Sequence, residues 1–383
     1  MWNFMRSLLL FLIVGFSSFG QRSTRYIDEV NSLDSLIHAA PTFALRTIDY
    51  PHELLDSMIL GIKPVDSLRV NSIAQAYFKD LRDGNRVPNL RYEGLKIDRK
   101  DIKLPFDFKL LVNYLNSRST ELNTLLSVLR DSVDLPSEKR DLLVKAVNEY
   151  RWLASLRRSR SVVVVNIPSA TLRAYDGQEE KVQMKVVVGK DSRPSKTLIS
   201  PLRDLIITPY WNVPRSISIE ELVPEIRKNI RYFYASHLEI FDLKGRKVEP
   251  EQVPWSRLNA NYFPYSMRQR TGKWNTLGIM KFQFDNPFRM YLHDTSEKKL
   301  FNKEKRFYSH SCIRVERPID LGRFLLKPNS KAVDTLDVLA EYADLPPRYI
   351  KIKRKIPLVI WYSLVDFDAN GKLKFYPNIY GKN

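Results

Sequence analysis

Apolar residues recur at every third or fourth position through the first half of the chain, and this spacing predicts amphipathic helices. The clearest series runs from Val70 to Leu81 and stops at Gly84, a residue type that commonly ends helices. Three further series begin near Pro105, Leu122 and Pro136. The first half is therefore predicted to be a helical scaffold, and it contains no catalytic signature.

The pattern changes at Ser161, where β-branched runs and strict alternation begin and predict strands. Near the C-terminus, two alternating segments flank Ala369, Asn370 and Gly371, which predicts a β-hairpin. The predicted strands cover residues 162–165, 171–175, 181–188, 205–208, 278–284, 288–292, 358–366 and 372–376. The expected fold class is α+β, with a helical domain over residues 21–160 followed by a mostly-β domain over residues 161–383.

One stretch of the second half, from Pro214 to Trp274, does not continue the strand pattern. It is rich in Glu, Lys, Pro and Tyr, and its periodicity predicts a helix over residues 219–227 followed by an extended aromatic run at 261–265. We interpret about residues 217–274 as an insertion. The insertion either covers a functional site as a lid or is a surface segment with no such role.

The N-terminal segment has the arrangement of a secretory signal. Arg6 ends a short first region, residues 8–16 are apolar, and small residues precede Gln21. Residues 1–20 are therefore predicted to be a signal peptide that exports the protein to the periplasm or cell envelope. The apolar stretch is shorter than the roughly 18 residues that span a bilayer, and a permanent anchor is the alternative.

The chain is strongly basic, with 62 Lys and Arg against 43 Asp and Glu and a formal net charge of +19. Such an excess favours binding to a polyanion. For an exported protein the expected partner is the anionic cell envelope and not nucleic acid, because no familiar nucleic-acid-binding signature is present. The alternative is that the charge serves only solubility.

The chain has a single cysteine, Cys312, which cannot form an internal disulfide. An unpaired thiol is a liability in an oxidising compartment unless it has a use, so Cys312 is a candidate nucleophile. A buried, inert cysteine is the alternative.

Two of the five histidines lie near this cysteine, at His293 and His310. If the segment around Cys312 is one strand, His310, Cys312 and Arg314 share a face. An imidazole can deprotonate the thiol and stabilise the thiolate as an ion pair, and Arg314 can bind a substrate carboxylate. Backbone amides at a turn carrying Cys312 would stabilise an oxyanion.

Metal binding is the rival interpretation, because a cysteine and two histidines can ligate zinc. A fourth ligand at close spacing is missing, and Arg314 would repel a cation. Neither a metal nor another cofactor is therefore predicted. For His310 alone, a structural role remains an alternative to a catalytic one.

The segment Ser309-His310-Ser311-Cys312-Ile313-Arg314, preceded by Tyr291-Leu292-His293-Asp294, resembles the S-H-G-C-hydrophobic-R signature of the YkuD-type L,D-transpeptidases. The resemblance extends over residues 161–383. In this region the chain resembles the large Gram-negative members of the family, which carry a capping insertion. Further matching blocks lie at residues 165–168, 172–175, 188–190, 209–217, 275–278 and 380–381.

This resemblance implies that Cys312 is the nucleophile and His293 its general base, with the backbone carbonyl of Asp294 holding the imidazole. It implies supporting roles for His310 and Ser311. The residues that it places in substrate binding are Tyr210, Trp211, Asn212, Ser309 and Arg314.

The implied reaction joins peptidoglycan stem peptides. Cys312 attacks a donor tetrapeptide stem and releases D-alanine, and an acceptor amine then takes the acyl group to give a 3→3 cross-link. Carbapenems are expected to acylate the same thiol. Water or an envelope-protein amine as acceptor would instead make an L,D-carboxypeptidase, a cross-link hydrolase or an attachment enzyme. The non-enzymatic alternative is a basic murein-binding scaffold.

Two features depart from the family pattern. Ser311 stands where glycine is usual, which costs about 1 kcal/mol or more if the position has a positive φ. The scaffold half also shows no counterpart of a separate peptidoglycan-binding domain between Asp83 and Ser137. Substrate anchoring is therefore expected to depend on charge and on the insertion.

Overall fold

The computed structural model describes residues 27–85, 88–96, 100, 102–104, 108–116, 119–131, 134–158, 160–326 and 345–381. The predicted signal peptide, residues 1–20, lies outside this part of the chain.

Two compact units are present. One contains the residues up to Pro88 together with Ile97–Arg158 and Ser363–Tyr376, and the other contains Asn89–Lys96, Ser159–Tyr362 and Pro377–Asn383. The sequence predicted a single division near residue 160. It did not predict that residues 89–96 belong to the second unit and residues 363–376 to the first.

The first unit is helical. Its helices are α1 (residues 27–38), α2 (His52–Ile59), α3 (Ser67–Asp83), α4 (Phe108–Asn116), α5 (Thr120–Asp131) and α6 (Ser137–Leu156). In α3 the predicted apolar positions are buried, and the helix ends at Gly84 as predicted. Gly84 has φ of 75°, and a Cβ there would approach the carbonyl oxygen of Asn148 to 2.2 Å, so only glycine fits. Within the described residues, no helix is both long and apolar enough to span a bilayer.

The second unit is built on a sheet that closes on itself. Helix α10 (Pro318–Leu325) packs against this sheet, and the elements numbered β6 to β9 and α7 to α9 belong to the insertion, which is described next. The strands of the sheet are β1 (Tyr92–Glu93), β2 (Ser161–Asn166), β3 (Thr171–Asp176), β4 (Glu179–Gly189), β5 (Leu198–Ile207), β10 (Met280–Phe284), β11 (Leu292–His293), β12 (Phe307–Ser309), β13 (Ile313–Val315) and β14 (Arg348–Trp361). The order β5-β10-β11-β13-β4-β3-β2-β14 returns to β5, because β14 pairs with both β2 and β5. Closure leaves few free edges, and the enclosed apolar side chains form the core.

The stretch between β5 and β10 forms a small subdomain with its own core. It contains strands β6 (Trp211–Val213), β7 (Leu238–Asp242), β8 (Lys247–Val248) and β9 (Tyr265–Gln269), in the order β6-β9-β7-β8. Helices α7 (Arg215–Ile217), α8 (Val223–Lys228) and α9 (Arg231–Ala235) complete it, with a π-helical turn at Ser218–Leu222 between the first two. We call residues 211–269 the insertion.

The fold class predicted from the sequence is confirmed, with a helical N-terminal region followed by a mostly-β region. The C-terminal hairpin is also confirmed, as β15 (Val365–Phe367) paired with β16 (Leu373–Phe375). The strand predicted at residues 288–292 is wrong for most of its length. Only Leu292 belongs to β11, because Asn286 ties residues 284–290 into a tight loop through its side-chain amide.

Candidate active site

Three neighbouring strands place the predicted site residues on one part of the sheet. In the β10–β11 pair Lys281 lies opposite His293, and in the parallel β11–β13 pair His293 lies opposite Arg314. The amide of Ile313 donates to the carbonyl oxygen of Tyr291 at 3.2 Å, which sets Cys312 beside Tyr291. The register therefore brings together Lys281, His293 and Arg314, which are separated by 12 and 21 positions in sequence.

A turn carries the nucleophile. Strand β12 ends at Ser309, β13 begins at Ile313, and Ser311 between them has φ of 78°. The expectation that His310, Cys312 and Arg314 share one face of a continuous strand is therefore wrong, because the left-handed residue reverses the direction of the chain. Glycine, which stands at this position in the signature that the segment resembles, adopts such a φ without steric cost.

Side-chain hydrogen bonds hold this turn in place. The hydroxyl of Ser311 donates to the carbonyl oxygen of Pro194 at 3.1 Å, and the hydroxyl of Ser195 donates to the carbonyl oxygen of Ser311 at 2.7 Å. Ser195 in turn accepts from the amide of Gly189 at 3.0 Å. Tyr380 donates to the carbonyl oxygen of Gly189 at 2.5 Å. The hydroxyl of Ser311 thus offsets part of the strain that its left-handed backbone introduces.

Ser311→Gly is expected to change the free energy of unfolding by less than about 1 kcal/mol, because it relieves strain while losing one hydrogen bond. Ser311→Ala keeps the strain and loses the bond, so we expect destabilisation by about 1–2 kcal/mol. Urea unfolding of the three proteins measures both changes. An alanine variant as stable as the glycine variant would contradict the strained conformation.

The thiol of Cys312 is half-buried and unpaired, and burial raises its pKa. Hydrogen bonds from the backbone and side chain of Tyr291 act against this, as do the positive charges of Lys281 and Arg314. The Tyr291 hydroxyl also interacts with the side chain of Trp211 from the insertion. Tyr291 and the two cations are thus the groups that can stabilise a thiolate here.

His293 is buried, and its Nδ1 is hydrogen-bonded to the carbonyl oxygen of Asp294. Because a carbonyl oxygen only accepts, Nδ1 carries the proton and Nε2 keeps a lone pair. Burial and the charges of Arg314 and Lys281 lower the pKa of His293 to about 3, against the hydrogen bond to Asp294. Burial and the two positive charges therefore favour the neutral form of the His293 imidazole.

The carboxylate of Asp294 has a structural task. Its Oδ2 accepts from the amide of Ile279 at 3.0 Å, and its Oδ1 contacts the ammonium of Lys298. Gly278 packs so closely that a Cβ there would lie 2.2 Å from Asp294 Oδ2. The side chain thus ties two loops together while its backbone carbonyl faces the imidazole.

His310 is turned toward the insertion. Its Nε2 lies 2.7 Å from Oε1 of Glu221, and the neighbouring Glu220 forms an ion pair with Arg193. Arg193 belongs to the loop that binds the hydroxyl of Ser311. Two adjacent glutamates of the π-helical turn therefore contact the nucleophile turn and its supporting loop.

Arg314 lies beside His293, with its side chain only 12% exposed. Its Nη1 forms an ion pair with Glu297 and lies 3.4 Å from the hydroxyl oxygen of Thr295. Its Nε is buried and has no hydrogen-bond partner in the described part of the chain. A substrate carboxylate would have to share or displace Glu297 to reach this guanidinium.

Cys312 opens into a cleft of about 480 Å³. The insertion and the chain leading into it supply Tyr210, Trp211 and Asn212, and the nucleophile turn supplies His310 and Ser311. The ring of Tyr210 stacks under Arg268 at 4.0 Å. Ser309, also predicted to bind substrate, is instead buried in β12, where its carbonyl accepts from Lys190.

The sequence alone did not reveal Tyr291, Lys281 or Glu221 as functional candidates. Tyr291 was identifiable as the residue two positions before His293, since such residues share a face wherever the chain is extended. Lys281 and Glu221 give no sequence signal, because they reach the site only through strand pairing and the fold of the insertion.

Lys281→Met is expected to raise the pKa of Cys312, because it removes a positive charge that favours the thiolate. The pH profile of iodoacetamide alkylation should shift to higher pH, and the rate at pH 8 should fall. Lys281→Arg keeps the charge and should stay near the wild-type profile. An unshifted profile for Lys281→Met would show that this ammonium does not act on the thiol.

Within the described ranges, no three His, Cys, Asp or Glu side chains come together in an arrangement that could hold a metal ion.

Comparison with known proteins shows a likeness to one family over part of the chain. Residues 160–332 match the model of the YkuD L,D-transpeptidase catalytic domain. A Haemophilus influenzae protein, named provisionally as an L,D-transpeptidase, is 31% identical over 219 residues, which are 57% of this chain and 44% of that protein. The chain thus spans less than half the length of this curated relative.

Solved structures of L,D-transpeptidases align only loosely. L,D-transpeptidase 3 of Mycobacterium tuberculosis is 11% identical with a TM-score of 0.27, over 52% of this chain and 60% of that one. An Enterococcus faecium L,D-transpeptidase is 8% identical with a TM-score of 0.24, over 75% of this chain and 99% of that one. These alignments add nothing to the family match. Residues 160–332, which carry the histidine, the cysteine and the turn described above, are thus similar to the YkuD L,D-transpeptidase catalytic domain.

Proposed function

We propose that the protein is a cysteine L,D-transpeptidase that cross-links peptidoglycan stem peptides in the periplasm. The observation that carries the proposal is that the same two cations, Lys281 and Arg314, act on both the thiol of Cys312 and the imidazole of His293. Cys312 lies in the cleft beside Tyr291, and the Nδ1 proton of His293 is fixed by the carbonyl of Asp294. This leaves Nε2 as the nitrogen that can accept a proton.

The first step forms a thioester. Cys312 sulfur attacks the carbonyl that precedes the terminal D-alanine of a donor tetrapeptide stem, while His293 takes the thiol proton. The peptide C–N bond then breaks, and the proton passes to the departing amine of D-alanine. Backbone amides at the left-handed turn of Ser311 can donate to the oxyanion.

The second step transfers the acyl group. The side-chain amine of an acceptor stem attacks the thioester carbonyl, a C–N bond forms, and the C–S bond breaks to restore the thiolate. The amine proton returns through His293 to the sulfur. The product is a 3→3 cross-link, and water in place of the amine would give a shortened stem.

Incubation of the purified protein with tetrapeptide muropeptides, followed by mass analysis, tests the proposal. Cross-linked dimers that have lost one D-alanine support it. Shortened monomers alone would identify an L,D-carboxypeptidase. Cleavage of a cross-linked dimer that is added to the protein would identify a cross-link hydrolase. Unchanged muropeptides would favour the non-enzymatic, basic envelope-binding scaffold.

The cellular setting is part of the same proposal. A cleaved signal peptide would free the mature chain near Gln21, and its basic character would favour contact with the anionic envelope. A carbapenem should acylate Cys312, because its strained lactam carbonyl resembles the donor amide. N-terminal sequencing of the native protein and intact mass after carbapenem treatment examine these two points separately.

A further inference from the structure

A second groove, of about 500 Å³, adjoins the cleft of Cys312. The two share Lys281, Arg289, Met290 and Tyr291. The other residues that line the second groove are Arg203, Asp204, Gln283, Phe284, Asp285 and Asn286. All of these belong to the closed sheet and its loops, whereas residues of the insertion line the cleft. The shared wall thus lies between a covered cleft and a more open groove.

Arg289 lies in that shared wall in a strained conformation. Its φ is 56°, in the left-handed region that an arginine rarely adopts. The side chain of Asn286 imposes this shape, since its Oδ1 accepts from the amides of Phe288 and Met290. Its Nδ2 donates to the carbonyl oxygens of Phe284 and Met290. A strained residue held by a dedicated network is a frequent feature of binding sites.

The guanidinium of Arg289 is exposed and makes no hydrogen bond or ion pair with any residue that the structure describes. Arg203 in the same groove differs, because two oxygens of Asp285 accept from its Nη1 at 2.8 and 2.9 Å. Of the two arginines that line the groove, Arg289 is therefore the one available to a ligand. Its planar fork suits a carboxylate.

We propose that the groove binds the acceptor peptide and that Arg289 holds a carboxylate adjacent to the attacking amine. This inference rests on the proposed function. The donor would occupy the covered cleft, and the acceptor amine would reach the thioester over Lys281 and Tyr291. Asp204 in the groove offers a carboxylate to the ammonium form of the acceptor before it loses its proton.

The test separates the two half-reactions. Arg289→Met should leave the rate of D-alanine release and of carbapenem acylation within about twofold of wild type, because neither step uses the acceptor. Transfer to a tripeptide muropeptide should fall about tenfold or more, as expected for loss of a charge-assisted contact. The share of hydrolysed product should rise accordingly, and Arg289→Lys should recover part of the transfer.

Acceptor chemistry provides a second measurement. Wild-type protein should prefer an acceptor with a free carboxylate to the same acceptor with that carboxyl amidated, and Arg289→Met should lose this preference. Lys244→Met, which removes an exposed charge at a turn of the insertion, is the control for net charge and should behave as wild type. Arg203→Met should have less effect than Arg289→Met, because Asp285 already neutralises Arg203.

Arg289→Gly distinguishes binding from a structural role. It should unfold about 2–4 °C higher than Arg289→Met, since glycine relieves the strain, yet show the same loss of transfer. Wild-type cross-linking by both variants would overturn the inference. So would a loss of D-alanine release, which would assign Arg289 to the donor. Absence of any D-alanine release by the wild-type protein would instead overturn the proposed function itself.

Discussion

Cys312→Ala is expected to abolish both D-alanine release and cross-link formation, to below detection, while leaving the fold intact. Cys312 is the only thiol of the chain, and a thiol is a stronger nucleophile than the hydroxyl groups that also line the cleft. The thiol is half-buried at a turn, so alanine removes one sulfur with little loss of packing. Product formation is measured by mass, and the fold by circular dichroism and thermal unfolding.

The same experiment has a chemical control. Cys312→Ser keeps a nucleophilic atom at the same position, but a hydroxyl is far harder to deprotonate beside a histidine whose pKa is about 3. We therefore expect at most a trace of turnover from the serine variant. Cross-linking by Cys312→Ala near the wild-type rate would eliminate Cys312 as the nucleophile.

His293→Ala should slow acylation of Cys312 by donor or carbapenem about a hundredfold or more, the scale of a positioned general base. The reason is geometric, since Asp294 fixes the Nδ1 proton and the strand register places His293 beside Arg314 at the site. His310 should matter less, because its Nε2 contacts Glu221 of the insertion. Acylation is followed as intact-mass change over time.

Matched variants separate the base from its surroundings. Glu221→Gln weakens the contact of the insertion with His310 without touching that imidazole, so it should reproduce the smaller effect of His310→Ala. His293→Gln fills the buried site with a polar group that cannot act as a base at neutral pH, and should remain as slow as His293→Ala. If a folded His310→Ala were the slower of the two histidine variants, the roles of base and supporter would have to be exchanged.

The pKa directions also predict the pH dependence of thiol reactivity. Burial raises the pKa of Cys312 and lowers that of His293, so protons leave the imidazole first and the thiol last as pH increases. In the proposed reaction we therefore expect proton transfer to accompany attack, and we expect the free thiolate to become abundant only at alkaline pH. This order follows from low solvent access at the site, which disfavours both charged forms.

Much of the architecture could be predicted from the sequence because it depends on local periodicity. The apolar spacing of α3 with its stop at Gly84 and the hairpin around Gly371 each need only neighbouring residues. The strand predicted at residues 288–292 failed for the complementary reason. Its residues have apolar strand-like character, but four hydrogen bonds from Asn286 form a loop there.

The candidate chemistry of the site was already evident in the sequence, from one thiol, the histidines near it, and the resemblance of residues 309–314 to a known family. The arrangement of these groups in space follows from the tertiary structure. Strand pairing brought Lys281 to His293, and the left-handed conformation of Ser311 turned His310 away from the face of Cys312. The strained loop placed Arg289 in the wall between the cleft and the second groove. Such relations depend on register and backbone conformation between distant segments, which no local pattern of side chains encodes.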